Sequence, residues 1–253
     1  MTIFVQITGR LGNHLFQIAL GYSLAKKTGQ QFVMVYNKYN KYEQQWIDYF
    51  LTKSKSTIEL NFIERQTIPK NTVYYSEKRN GINCFEFHPE LEQLCTNGNV
   101  FFDGYFQTEQ YFKEYFIDLK KLFLRNEIKV TDGYFIHVRR CDYLNHPVYE
   151  IKYEEYFIKA IQYFPKNALF YVVSDDIPWC KQNNLFKEFS FIEIDTIDTL
   201  HFMAGCKGGI CANSSFSWWG AWLSKREIVT MPKQWINNGM NTEGIYFENV
   251  IVI

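Results

Sequence analysis

Apolar and polar positions repeat along this chain with two periods, and the places where one period gives way to the other predict its elements. Residues 3 to 7, IFVQI, are a short apolar run of the kind that forms a strand covered on both faces. A turn, TGRLGNH, carries Gly9 and Gly12. Beyond it Leu15, Ile18, Ala19 and Tyr22 recur at helical spacing, Lys26 and Lys27 fall in the last turn, and Gly29 stands where a left-handed C-cap belongs. QQFVMVY then returns to a strand, so the first 36 residues predict a strand, glycine turn, helix, strand unit of the Rossmann kind. The spacing GRLGN is not GxGxxG, and its glycines serve backbone geometry as readily as a ligand.

Residues 37 to 133 carry a weaker pattern. NKYNKYEQQWIDYF fits loop or helix, and residues 57 to 75 hint at short strands. FFDGYFQTEQYFKEYF, residues 101 to 116, predicts a strand that breaks at Gly104 and leads into a helix with Tyr111, Tyr115 and Phe116 toward the core. The polar stretch RNEIKVTDG, 125 to 133, is the place for a domain boundary. From Tyr134 the chain alternates regularly: strand YFIHV, helix KYEEYFIKAIQYF, strand ALFYVVS, helix IPWCKQNN, strand FSFIEI, helix TIDTLHFMAGC, strand KGGICA, helix FSWWGAWLS and strand EIVTMP. That order predicts a second, parallel, doubly wound sheet, and an α/β protein as a whole.

In such a sheet all strands end on one rim, where ligands bind. The polar residues gather there: His137, Arg139 and Arg140 after the first strand, Ser174, Asp175 and Asp176 after the second, and Asn213, Ser214 and Ser215 after the fourth. Asp198 opens the helix that follows the third. Each cluster taken singly reads as helix caps. Two arginines that share the rim with a helix N-terminus make an anion site instead, because guanidinium forks and free amides both suit a diphosphate.

Composition narrows the rest. Lys plus Arg equals Asp plus Glu at 27 each, which leaves no global field for nucleic acid or an anionic membrane, so an anion must be held locally. The aromatic share, 19%, fits a Tyr- and Phe-rich core. Six cysteines, at 84, 95, 141, 180, 206 and 211, form no CxxC pair, which fits a reducing compartment. The start MTIFVQITG runs straight into a strand and no 18-residue apolar window follows, so a cytoplasmic protein is expected. P-loop, HExxH and GxSxG motifs are absent from the sequence, as is any Asp-x-Asp pair of the sort that clamps a metal on a nucleotide sugar.

Several strings, in this order, resemble the α-1,2-fucosyltransferases of glycosyltransferase family 11, which use GDP-fucose. They are GRLGNHLFQIA, GYFQTEQYF, HVRRCDY, SDDIPWCK, CKGGICANSSFSWWGAWL and MPKQWI, and they cover most of the chain. ANSSFSWWGAWL is the most specific. Cys141 stands where the family usually has glycine and His14 where it commonly has glutamine; neither change removes a charged group.

The resemblance implies a GT-B-like arrangement of two Rossmann-like domains with mainly parallel sheets facing a cleft, residues 1–128 on the acceptor side and 129–253 holding the GDP-sugar. It implies Arg139 and Arg140 on the diphosphate, His137 and Asp198 near the guanine, Ser214 and Ser215 on phosphate oxygens, Asp175 and Asn213 among the donor-binding residues, and Gly12, Asn13 and Gln17 toward the acceptor. A carboxylate suits guanine because it accepts both the N1 and N2 hydrogens. The implied reaction is a single in-line displacement by a galactose 2-hydroxyl, with inversion and with neither cofactor nor metal. Arg140 and Arg139 then meet the charge on the leaving diphosphate, and Asp142 is either general base or the group that orients Arg139. A lipid-linked acceptor would bring peripheral membrane contact.

Two alternatives accompany this reading. One keeps GDP-fucose and changes the acceptor to another sugar or a protein hydroxyl. The other is a non-catalytic carbohydrate-binding module that uses Trp218, Trp219 and Trp222 as a stacking platform, although their spacing turns at least two of them into the core.

Overall fold

The computed structural model describes residues 1–36, 49, 61–77, 83–125, 127–151 and 153–253. NKYNKYEQQWIDYF lies almost wholly outside the described residues, and so does Lys152 of the helix expected after Tyr134. The chain forms two compact units: Met1–Leu124 with Glu243–Ile245, and Arg125–Thr242 with Tyr246–Ile253. The division falls at the start of RNEIKVTDG, and three residues from near the C-terminus join the first unit.

In the first unit five parallel strands lie in the order β3-β2-β1-β5-β4, with β1 Thr2–Gln6, β2 Gln31–Tyr36, β3 Asn61–Glu64, β4 Val73–Ser76 and β5 Val100–Asp103. β1 pairs with β2 from Thr2 opposite Gln31 to Gln6 opposite Val35, and with β5 from Ile3 opposite Val100 to Val5 opposite Phe102. The helix α1, Leu11–Thr28, ends at Gly29 in the left-handed conformation, as the spacing predicts. Its burial is broader than the single face expected. From Leu11 to Leu24 every residue except Asn13 is buried, because the helix lies on the sheet and is covered again by α2, Glu90–Cys95, and by a 3-10 turn at Glu109–Tyr111. Phe16 meets Phe112 edge-on at 5.9 Å and the Tyr22 hydroxyl donates to Asp118 at 3.1 Å.

The helix expected across residues 105 to 116 is replaced by two 3-10 turns, Glu109–Tyr111 and Lys113–Tyr115, and the α-helix α3 runs Phe116–Phe123. Phe112, at φ −144 and ψ 0, breaks the helical path between the turns. Tyr111 is buried, as expected, while Tyr115 and Phe116 are half-buried.

The second unit holds six parallel strands in the order β8-β7-β6-β9-β10-β11: β6 Tyr134–Val138, β7 Phe170–Ser174, β8 Ser190–Phe191, β9 Gly209–Ile210, β10 Val229–Met231 and β11 Ile251–Val252. Its helices are α4 Tyr153–Ile161, α5 Ile177–Gln182, α6 Thr196–Gly205 and α7 Ser215–Leu223. Every expected element is present. β8 and β9 are only two residues long where six-residue strings predict strands, and β11 is an addition. Tyr134, Ile136, Val138, Tyr156, Phe157 and Val172 share one core cluster.

Trp218, Trp219 and Trp222 are all fully buried, with rings 4.9 to 5.9 Å apart. This removes the stacking platform on which the binding-module alternative depended.

Each sheet reverses its strand order once. In the second unit the chain moves from β6 out to β7 and β8, then returns to β9 on the other side of β6; in the first, β2 and β5 flank β1. Crevices at the carboxyl ends of β6/β9 and of β1/β5 are where an open parallel sheet binds ligands. Among the described residues no helix is long and apolar enough to cross a membrane.

Candidate functional site

At the end of β6 the chain leaves the sheet through two arginines whose side chains are each 15% exposed and held by different partners. Arg139 Nη1 lies 3.1 Å from Asp175 and its Nη2 2.5 Å from Asp142. Its guanidinium sits 5.5 Å from the Tyr143 ring, whose hydroxyl donates to the Asn213 carbonyl at 3.3 Å, so this arginine is tied to the turn between β9 and α7. Arg140 turns toward α5. Its Nε donates to Asp176 at 3.1 Å and its guanidinium stacks 3.7 Å over the Trp179 ring. A cavity of about 360 Å³ opens beside it, lined by Tyr143, Glu150, Ile151 and Trp179 among others.

The two adjacent acids at the end of β7 act as a bracket. Asp175 accepts from the backbone N–H of Arg140 at 2.8 Å and of Cys141 at 3.2 Å, while Asp176 caps α5 by accepting from Trp179 N–H at 3.2 Å. Asp175, expected among the donor-binding residues, therefore spends its carboxylate on the arginine loop. Asp142 is exposed and ion-paired with Arg139, the geometry of the orienting role.

His137 lies inside β6 rather than at its end, and its side chain is buried. The ring is 5.6 Å from Phe216 in the first turn of α7, and Nδ1 has no hydrogen-bond partner. Burial, then the Arg139 charge, lowers its pKa to about 3 and leaves the imidazole neutral. A buried polar atom without a partner, set where the strand order reverses, is an available contact for a ligand group.

Other expected site residues carry structural duties. The buried Asn213, expected among the donor-binding residues, donates from its amide to the carbonyls of Tyr149 at 2.9 Å and Trp235 at 3.0 Å. Ser214 is the N-cap of α7, its hydroxyl accepting from Phe216 N–H at 3.3 Å, and half-buried Ser215 is the first helical residue. Asp198 is paired with Arg125 at 2.5 Å, and the cap of α6 is Asp195. Among the described residues no hydrogen bond or ion pair joins Asp198 to Arg139, Arg140 or Ser214. Sequence reasoning missed Arg125, whose only signal was a cation opening a polar stretch.

At the reversal point of the first sheet, Gly12 is buried in the first turn of α1 and Asn13 Oδ1 accepts from the Gln107 side chain at 2.8 Å. Gln17, expected on the acceptor side, is fully buried. Its amide accepts from Thr8 N–H at 3.0 Å and donates to the Gly104 carbonyl at 2.9 Å, so it closes the two sides of the reversal point together. Glu77, which nothing in the sequence set apart from an ordinary strand-end acid, is buried and accepts from the N–H groups of Tyr105 at 2.6 Å and Phe106 at 3.0 Å. Burial raises its pKa to about 7 against the opposing pull of those two bonds. Among the described residues no three or more His, Cys, Asp or Glu side chains gather as a metal cage.

Comparison with known proteins fits this architecture. A family model described as Glycosyl transferase family 11 matches residues 90–252. The chain is 30% identical over 279 residues to an α-1,2-colitosyltransferase of Escherichia coli, covering 92% of each, and 27% identical over 283 residues to the O-antigen biosynthesis glycosyltransferase WbnK of Escherichia coli, covering 90% of this chain and 93% of that one. Among solved structures it is similar to the fucosyltransferase NodZ from Bradyrhizobium, with TM-score 0.51 and 13% identity over 88% of this chain and 92% of that one. It is likewise similar to the ADP-heptose lipopolysaccharide heptosyltransferase II of E. coli, with TM-score 0.50 and 12% identity over 100% and 90%. At these identities the structural likeness concerns the fold alone, which is of the GT-B type.

Proposed function

The chain belongs to glycosyl transferase family 11, and from that premise we propose that this glycosyltransferase moves L-fucose from GDP-fucose to the 2-hydroxyl of a terminal galactose, with inversion and without a metal. The observation that carries the reading is the arginine pair at the end of β6, bracketed by Asp175 and Asp176 at the edge of a sheet reversal point. A guanidinium whose position is fixed before the substrate arrives stabilises charge on a leaving diphosphate without reorganising during the reaction. Arg139 is the better placed of the two, since Tyr143 ties it to the turn that opens α7 and its terminal nitrogens rest on Asp175 and exposed Asp142 until the diphosphate arrives, whereas Asp176 and Trp179 turn Arg140 toward α5.

As the diphosphate enters, Asp142 gives up part of its hold on Arg139 and keeps the guanidinium aimed. Neutral His137 offers Nδ1 as a hydrogen-bonding contact rather than as a countercharge, and the N-terminal turn of α7 faces the same anion. The attacking hydroxyl approaches C1 opposite the leaving oxygen, and the product bond is α.

Mass spectrometry with linkage analysis of the products formed from GDP-fucose and a small panel of galactosides tests donor, acceptor and linkage together. An α-1,2-fucosylated galactoside is expected; transfer only to non-galactose acceptors overturns the acceptor half. A second reading is favoured by the 30% identical relative, whose name specifies colitose. Colitose is fucose without its 3-hydroxyl, so the two donors share the guanosine diphosphate contacts and differ at one sugar position. A kcat/KM for the 3-deoxy donor above that for GDP-fucose would establish it.

A further inference from the structure

The segment between β6 and α4 is a chain of turns, yet it is bonded along its length. The N–H groups of Tyr143 and Leu144 donate to the Arg140 carbonyl at 2.8 and 2.9 Å, and those of Tyr149 and Glu150 donate to the His146 carbonyl at 3.0 Å. The Tyr149 ring stacks with Tyr143 at 4.8 Å and with His146 at 4.5 Å. Two amides from far along the chain pin the segment. Asn213 donates to the Tyr149 carbonyl, while Asn237 donates from its side chain to the Glu150 carbonyl and from its backbone to the Val148 carbonyl at 2.7 Å. What these bonds hold in place is part of the lining of the cavity beside Arg140. The lining continues into Glu154 of α4, which accepts from the Asn183 amide at 3.2 Å, and into Trp179 of α5 under the Arg140 guanidinium.

Two kinds of surface meet in that cavity. Leu144 and Ile151 are apolar and Tyr143 and Trp179 add ring surface, whereas the carboxylates of Glu150 and Glu154 accept hydrogen bonds and repel phosphate. A 6-deoxyhexose carries the matching pair: a methyl group and several hydroxyls that can donate. The volume, about 360 Å³, stands at the small end of the roughly 300–1,000 Å³ of ligand sites, which suits one sugar ring rather than a whole nucleotide sugar. Tyr143 ties the cavity to the diphosphate anchor, since its ring lies 5.5 Å from the Arg139 guanidinium. In a nucleoside diphosphate sugar the sugar is joined directly to the diphosphate, while the base stands a ribose away.

We infer that this cavity is the subsite for the sugar of the donor, with Leu144 and Ile151 against its C6 methyl and Glu150 and Glu154 accepting from its hydroxyls; this rests on the nucleotide-sugar donor proposed above. Fucose and colitose share that methyl, so the apolar lining serves either. It disfavours L-galactose, which is fucose with a hydroxyl on C6.

The test is calorimetry of GDP, GDP-fucose and GDP-L-galactose with wild type, Glu154→Ala and Leu144→Ser, together with saturation-transfer NMR of methyl β-L-fucoside alone. Both altered side chains are exposed, and retained GDP binding reports a folded variant. Glu154→Ala is expected to weaken GDP-fucose about tenfold and to leave GDP within about twofold. Leu144→Ser should narrow the preference for GDP-fucose over GDP-L-galactose from about tenfold to about twofold. An equal loss for GDP and GDP-fucose puts the base in the cavity and overturns the inference, as does GDP-fucose binding unchanged in both variants. The NMR arm needs no nucleotide, so a wrong donor and a wrong subsite are told apart. Saturation of the fucoside methyl in wild type and its loss in Leu144→Ser supports the subsite even if GDP does not bind, and its absence in wild type counts against it.

Discussion

Arg139 and Arg140 are adjacent in sequence and identical in kind, yet their partners differ, and under the proposed reaction this divides the work between them. Arg139→Ala should lower kcat about a hundredfold, the order of losing one preorganised donor to a developing anion. Arg140→Ala, which strips a stacked cation from Trp179, should cost about tenfold or less. Steady-state kinetics at saturating donor and acceptor decide this, and an equal loss in the two variants would refute the division. Cys141 explains itself at the same scale. Its φ is not positive, and it holds the loop to Asp175 twice, its N–H donating to the carboxylate at 3.2 Å and its thiol to the carbonyl at 3.1 Å, so nothing at this position demands a glycine. The arginine rim was legible because two cations at the end of an apolar strand contradict its burial. The duties of Asn213 and Gln17 were not: an amide that binds two carbonyls and an amide that binds a ligand are the same letter, and the difference lies in Tyr149, Trp235, Thr8 and Gly104, residues distant in sequence.

Among the elements, those with strong apolar periodicity stood out and those set by tertiary context did not. α7 reads as a helix because SFSWWGAWL is apolar on every side, which is also why all three tryptophans are buried. The segment 105–116 has helical spacing too, yet the loop bonds from Glu77 and the backbone at Phe112 divide it into 3-10 turns. β9 needs only two residues, since Gly209 and Ile210 pair with β6 on one side and β10 on the other. α2 lay in a stretch with no periodic signal, and six residues are too few to provide one.

For the whole molecule, buried ionisable groups set how stability follows pH. His14 and His137 have pKa values lowered from 6.5 to about 4 and about 3, so the unfolded chain takes up their protons first and stability falls as pH drops below 6.5. Glu77, raised from 4.5 to about 7, acts in the opposite sense: the folded chain holds the extra proton, and its contribution is lost as pH rises from 4.5 through 7. The two histidines outweigh Glu77 below pH 6.5 and the opposing contributions nearly cancel around pH 7, so the thermal midpoint should rise with pH up to about 6.5 and then level off. Glu77→Gln should let the midpoint keep rising between pH 6.5 and 7.5, where wild type is level; differential scanning fluorimetry across pH 4 to 8 checks both, and a wild-type midpoint still rising steeply through pH 7.5 contradicts the assignment.

The segment Glu243–Ile245, which joins the first unit from near the far end of the chain, has a consequence for any attempt to dissect the protein. Gly244 approaches so closely that a Cβ there would meet the Phe85 carbonyl oxygen at 1.6 Å, and Gly244→Ala should therefore destabilise by about 1–3 kcal/mol, read as a lowered urea midpoint. A scission between Leu124 and Arg125 accordingly does not release two finished halves. The N-terminal fragment would keep an open seam along Phe85 that a short synthetic peptide spanning Gly244 should seal.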